Sequence, residues 1–128
     1  MTDMPMAPVS WGELLDKITI LQIKQERIAD AAKRANVTTE LKALSAIADV
    51  AMAQAAALLA GLKAVNEELW DIEDRIRDKE RDKSFDAEFI ELARAVYVTN
   101  DRRADLKRQM NILLGSALVE EKSYQPYA

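Results

Sequence analysis

From residue 38 to residue 82 the chain contains no proline, and apolar side chains return every three or four residues throughout. Leu41, Leu44, Ala48, Ala51, Ala55, Leu58, Leu62, Val65, Leu69, Ile72 and Ile76 carry the repeat. At 3.6 residues per turn this spacing keeps one face of an α-helix apolar, whereas a strand needs a period of two. Ala, Leu, Glu, Lys and Arg dominate the stretch, and all are good helix formers. The repeat commits the chain to an all-α fold. It predicts one long central helix, about 38–82, with a coiled-coil seam. Gly61 is its one weak point and the expected place for a bend.

A shorter helix is expected on each side. Ser10-Trp11-Gly12-Glu13 reads as a capping box that opens a first helix over about 10–33. Leu14, Ile18, Leu21 and Ile28 lie on one side of it, and Ile20 and Ile23 project from nearly the opposite side. That helix therefore reads as buried on two sides. A break is expected at 34–38, where Asn36 and Thr38 are both competent N-caps. A third helix, about 84–114, starts at Ser84 or Asp86 and stops at Gly115. Phe85, Phe89, Leu92, Val96, Leu106, Met110 and Leu113 form its seam, which Thr99 and Arg103 interrupt.

With a rise of ~1.5 Å per residue the three helices span roughly 36, 67 and 45 Å. Short connections make neighbours antiparallel. The expected architecture is an elongated three-helix antiparallel coiled-coil bundle. Residues 1–9 form a flexible N-terminus, 10–116 a single helical domain and 117–128 an extended tail.

Composition narrows the chemistry. The 128 residues include no cysteine and no histidine, which excludes thiolate nucleophiles, disulfides and Ser-His or Cys-His catalysis. The three glycines form no phosphate-cradling loop, and no cofactor is expected. Eighteen basic residues stand against 22 acidic ones, interleaved, for a net charge of −4, so no nucleic-acid partner is expected. Met1–Val9 lacks the basic and apolar regions of a signal peptide. Ala43–Leu62 holds only Asp49 as a charge, yet its alanine content reads as a packed helix rather than a membrane span. The expected location is the cytoplasm.

Three features are candidates for function. Ala46, Val50, Ala53, Ala57 and Ala60 make a second stripe of small side chains opposite the seam. Two readings are open. Helices 1 and 3 can use both stripes, or a second copy can pack on Ile20, Ile23, Val50, Ala53, Ala57 and Ala60 in a homodimer. Second, Glu67, Asp71, Asp74 and Asp78 line one helix face. Glu67-Glu68-Leu69-Trp70-Asp71 resembles the metal-binding Glu-Glu-x-x-Asp block of the all-α nucleotide pyrophosphohydrolases. The resemblance implies Glu67, Glu68 and Asp71 as Mg²⁺ ligands. That family also carries an upstream Glu-x-x-Glu block, and here residues 41–66 hold Asp49 as their only acid. The other reading is an ion-paired or solvated ridge.

Third, Arg103 lies on an apolar seam, where a charge needs a partner. Antiparallel register places it near Ala64, Glu67 and Glu68, as a seam ion pair that sets register. The alternative is a notch in which Arg102 and Arg103 grip the phosphate or carboxylate of a small anion, a nucleotide or a sugar phosphate. Trp70 and Tyr97 would then offer stacking faces.

Several strings resemble a bacterial family of short uncharacterised proteins. They are Ser10-Trp11-Gly12-Glu13-Leu14-Leu15-Asp16-Lys17-Ile18-Thr19-Ile20-Leu21, Leu69-Trp70-Asp71-Ile72-Glu73-Asp74, Thr99-Asn100-Asp101-Arg102-Arg103-Ala104 and Val119-Glu120-Glu121-Lys122-Ser123-Tyr124. The resemblance implies a bacterial, cytoplasmic helical protein, and it brings no activity or site residues with it. The expected role is a non-enzymatic homodimeric interaction or scaffold module, with an unidentified protein partner and no membrane. The rival is a small-anion binder or Mg²⁺-dependent hydrolase.

Overall fold

A computed structural model describes residues 3–127. Met1 and Thr2, from the expected N-terminal segment, and Ala128, from the expected tail, lie outside the described residues. The described residues form four helices and no strand: α1 (Trp11–Arg27), α2 (Ala31–Gln54), α3 (Ala56–Arg81) and α4 (Ala87–Leu114).

The first correction concerns the α1–α2 break, which falls at 28–30 rather than 34–38. Ile28 leaves the helix at φ −78°, ψ 123°, and the Asp30 carboxylate accepts from the Lys33 N–H at 3.0 Å. Asp30 caps as well as Asn36 would, and its charge also complements the positive end of the helix dipole. Asn36 and Thr38 therefore lie inside α2.

The second correction is larger. The expected single helix over 38–82 is two helices, joined at Ala55 and bent by 116°. Ala55 sits at φ −108°, ψ 28°, outside the helical region. Its N–H still donates to Ala51 at 3.0 Å, and its carbonyl accepts from Leu59 at 2.8 Å. One residue thus redirects the axis with hydrogen bonding kept on both sides. The apolar repeat runs unbroken through this corner, because its spacing reports which face is buried and not where the axis points. Small side chains let the arms meet: Ala48, Ala51 and Ala55 are all buried at the corner. Gly61 lies inside α3 and causes no break.

The corner changes what meets what. A straight helix would let α1 and α4 overlap only at its middle. With the bend, α1 packs against α2, α3 and α4 together, and α3 pairs along α4. α1 is accordingly buried on several sides: Leu15, Ile18, Leu21 and Ile23 are all at or below 3% exposure. Leu15, Ile18, Ala48, Ala55, Leu62 and Met110 form the central core, flanked by Trp11, Leu106 and Leu114. α2 is the exception. Of its 24 residues only Ala48 and Ala51 are buried.

Two glycines carry structural duties. A Cβ on Gly12 would stand 2.6 Å from the Lys107 carbonyl oxygen, so this glycine permits the close approach of α1 and α4. Gly115 ends α4 at φ +64°, ψ 44°, the left-handed conformation that glycine adopts without strain. Among the described residues no single helix is long and apolar enough to cross a membrane.

Candidate functional site: a buried polar junction of α1, α3 and α4

Asp16 lies on α1 between core residues Leu15 and Ile18 and is 2% exposed. A carboxylate there needs full compensation. Arg103 of α4 supplies it with two parallel bonds, Nε to Oδ1 at 2.9 Å and Nη2 to Oδ2. Asn66 of α3 completes the set. Its Nδ2 donates to Asp16 Oδ1 at 2.9 Å and to Thr19 Oγ1 at 2.8 Å. The Thr19 hydroxyl donates in turn to the Asp16 carbonyl at 2.7 Å. A bidentate guanidinium–carboxylate pair is directional as well as strong, so it fixes the rotation of α1 against α4. The bond to Asp16 holds the Arg103 pKa above its ordinary value.

One turn along, the same two helices form a second cluster. The Lys107 ammonium donates to Glu13 of α1 and Glu120 of the tail, each at 2.8 Å. Burial works against its charge, but the bonds to Glu120 and Glu13 outweigh burial and hold its pKa above the usual lysine value. The bond from Lys107 holds the Glu120 carboxyl below the usual glutamate value. Further along, the Gly12 N–H donates to Asn111 Oδ1 at 2.7 Å and the Trp11 N–H to Ser116 Oγ at 3.2 Å.

Ser10 caps α1 as expected, accepting from the Glu13 N–H at 3.1 Å. The Glu13 carboxylate, however, reaches Lys107 rather than the Ser10 backbone. Among the described residues no buried side-chain polar atom lacks a partner.

The residues of the expected anion notch do not converge. Arg103 and Trp70 share a groove of about 400 Å³ with Ile20, Asn66 and Asn100. Arg102 is on another face, paired with Glu68 at 2.8 Å. Tyr97 stacks edge-on against Tyr127 at 5.3 Å. The expected partner of Arg103 is also corrected: it is Asp16 and not Glu67 or Glu68, because the Ala55 corner lays α1 alongside α4.

Glu67 and Asp71 both face Arg27, at 4.0 and 2.7 Å, and the Arg27 guanidinium lies 5.8 Å over the Trp70 ring. With Glu68 turned to Arg102, the three candidate Mg²⁺ ligands are drawn to two different cations. Among the described residues no three acidic side chains are grouped to hold a metal ion.

Of the expected dimer-interface residues, Ile23 is 1% exposed and belongs to the chain's own core. Ile20 is half-buried in the Trp70 groove. Val50, Ala53, Ala57 and Ala60 are exposed, but the corner divides them between α2 and α3. No protein-family model, no curated protein and no solved structure matches the chain.

The apolar pattern does not mark Asp16, Thr19, Asn66, Lys107 or Glu120 as site residues. One other signal in the sequence does bear on Asp16. Asp16 interrupts a helix that is apolar on several sides, as Arg103 with Thr99 interrupts the seam of α4, and opposite charges at such interruptions are natural partners.

Proposed function

We propose that the protein is a non-enzymatic homodimeric interaction module, assembled through the outer face of α2. One observation carries this reading: α2 buries two alanines and leaves an uncharged apolar face open. At 100° per residue, Ala43, Ala46, Ile47, Val50 and Ala53 fall on that face, and all five are exposed. Ile47 and Val50 are 59% and 70% exposed. A continuous apolar face of this kind is uncommon on a monomer.

A second copy suits the face on two grounds. The alanines let two helix backbones approach closely, and Ile47 and Val50 are the knobs that fill the space between them. Lys42 and Asp49 also lie seven residues apart on one flank of the face. In an antiparallel pair, each Lys42 then stands beside Asp49 of the other copy, a self-complementary arrangement that fits two-fold symmetry.

The polar junction supports a structural role in this module. Its carboxylates and cations are paired with one another, which leaves no free acid or base poised for substrate.

Sedimentation at micromolar concentration tests the proposal. The native chain sediments at twice its 14.4 kDa mass. Val50→Glu and Ala53→Glu each give a monomer with unchanged helix content. A native monomer, or dimers that survive both substitutions, overturns the reading.

A further inference from the structure

Past Gly115 the chain does not trail away. It turns back along α4, with Ser116 holding the Trp11 N–H, Glu120 on Lys107 and Tyr127 packed on Tyr97. The Asp101 carboxylate beside it raises the Tyr127 pKa. The tail is thus a strap laid over the α4 surface.

The centre of the strap covers an unusual set of side chains. Asn100, Arg103, Lys107 and Lys122 line a small cavity of about 50 Å³, and the only acid among its lining residues is Glu120. Arg103 is already matched by Asp16, and Lys107 by Glu13. Glu120 is therefore a second carboxylate on Lys107, and it neutralises the charge that Lys122 brings. At the cavity itself, removing Glu120 leaves Arg103, Lys107 and Lys122 against Asp16 and Glu13, with Asn100 beside them, while Asp105, Arg108 and Glu121 line the adjoining groove.

The donors also exceed what one carboxylate uses. Glu120 takes a single bond, from Lys107. Arg103 Nη1 makes only a long 3.4 Å contact to Asn100.

We infer that Asn100, Arg103, Lys107 and Lys122 form a binding site for a phosphate-bearing small ligand, which the Glu120 carboxylate occupies in its place. A phosphate offers three oxygens to the donors that a carboxylate leaves unused. The existing cavity is the size of a water or two, so phosphate enters only as Glu120 leaves. The Glu120 side chain is 45% exposed and the Lys107 side chain 10%, and Lys107 keeps its bond to Glu13 when Glu120 leaves, so the exchange strands no buried charge. The strap is a built-in competitor, and ligand binding releases it. This inference is independent of the α2 dimer.

Titration calorimetry of the full chain with inorganic pyrophosphate tests it, alongside amide spectra of residues 116–127. In the native chain pyrophosphate binds and moves the tail resonances toward those of a free segment. Glu120→Gln removes the competing charge and tightens binding roughly fivefold, the factor that loss of an exposed pair corresponds to. Lys107→Met abolishes binding. Lys122→Met lies on the exposed tail and leaves the fold intact, and it weakens binding severalfold. The inference is overturned if Glu120→Gln binds no more tightly than the native chain, if Lys122→Met binds equally well, or if no binding occurs at millimolar pyrophosphate.

Discussion

Where α1 meets α4 and the turn that follows it, the contacts are matched pair by pair: Asp16 to Arg103, Glu13 to Lys107, the Gly12 N–H to Asn111, the Trp11 N–H to Ser116. Along α2 there is almost none of this. Its bonds to α1 are the exposed Lys17–Glu40 pair at 2.9 Å and the Gln25–Thr38 bond at 3.0 Å, and its inner face is mainly alanine and leucine. The contrast separates two means of specifying structure. Matched polar partners at the junction permit one rotation and one register, because any slip leaves a buried charge alone. Small apolar side chains permit close approach without choosing a unique partner. That leaves α2 free to give its second face to another chain.

The largest effect that sharpens this contrast comes from Asp16→Ala. It strands Arg103 and leaves the Asn66 amide only its bond to Thr19, and it costs about 3 kcal/mol of stability, the low end for a broken buried pair because Arg103 keeps some solvent. Val50→Ala on the open face changes monomer stability by less than ~0.5 kcal/mol. Urea unfolding of the two variants, at concentrations where the chain is monomeric, measures the difference. Equal costs at the two positions would break the comparison.

Gly12→Ala follows. The added methyl meets the Lys107 carbonyl, backbone that cannot rotate away, and the forced separation of α1 from α4 costs about 2 kcal/mol. Gly61→Ala is the counterpart on α3. Its new methyl would meet Leu106 at an ordinary 3.8 Å, so helix propensity decides the sign, and the variant is more stable by up to ~1 kcal/mol. Thermal unfolding of both glycine variants should show shifts in opposite directions.

Acid should loosen the α4 cap and the strap. Asp86, which caps α4, is lowered from 3.8 to about 2, first by the bond from the Phe89 N–H and then by Lys79. A carboxyl held low stabilises the fold fully above its free value, and that contribution fades as pH falls toward the lowered one. The Asp86 cap therefore weakens between about pH 4 and pH 2. Glu120, lowered from 4.5 by Lys107, holds the strap above that value and releases it as pH falls further. Tyr127 ring resonances, followed from neutral pH downward, should leave their Tyr97-stacked positions below 4.5 and not above it.

Much of this fold is legible in the sequence. The apolar repeat marks the buried faces of both α2 and α3, and Ser10 and Gly115 are visible as caps. The Ala55 corner is not legible, because no proline or glycine sits there and Ala55 is an ordinary helix former. The bend gains its stability from contacts that exist only after α1, α3 and α4 have come together. The junction was hidden for the same reason: a straight central helix puts Arg103 beside Glu67 and Glu68, and only the bend brings Asp16 to it. Arg103 still announced its need for a partner, since it stood on an apolar seam.

Amide hydrogen exchange read across a dilution series tests the central contrast most directly. If α2 is the face shared between two copies, protection over residues 43–54 falls as the protein is diluted through dissociation. Protection around Asp16 and Arg103 stays constant, because the junction is complete within one chain. Equal loss of protection at both regions, or α2 protection that never responds to concentration, would contradict the account.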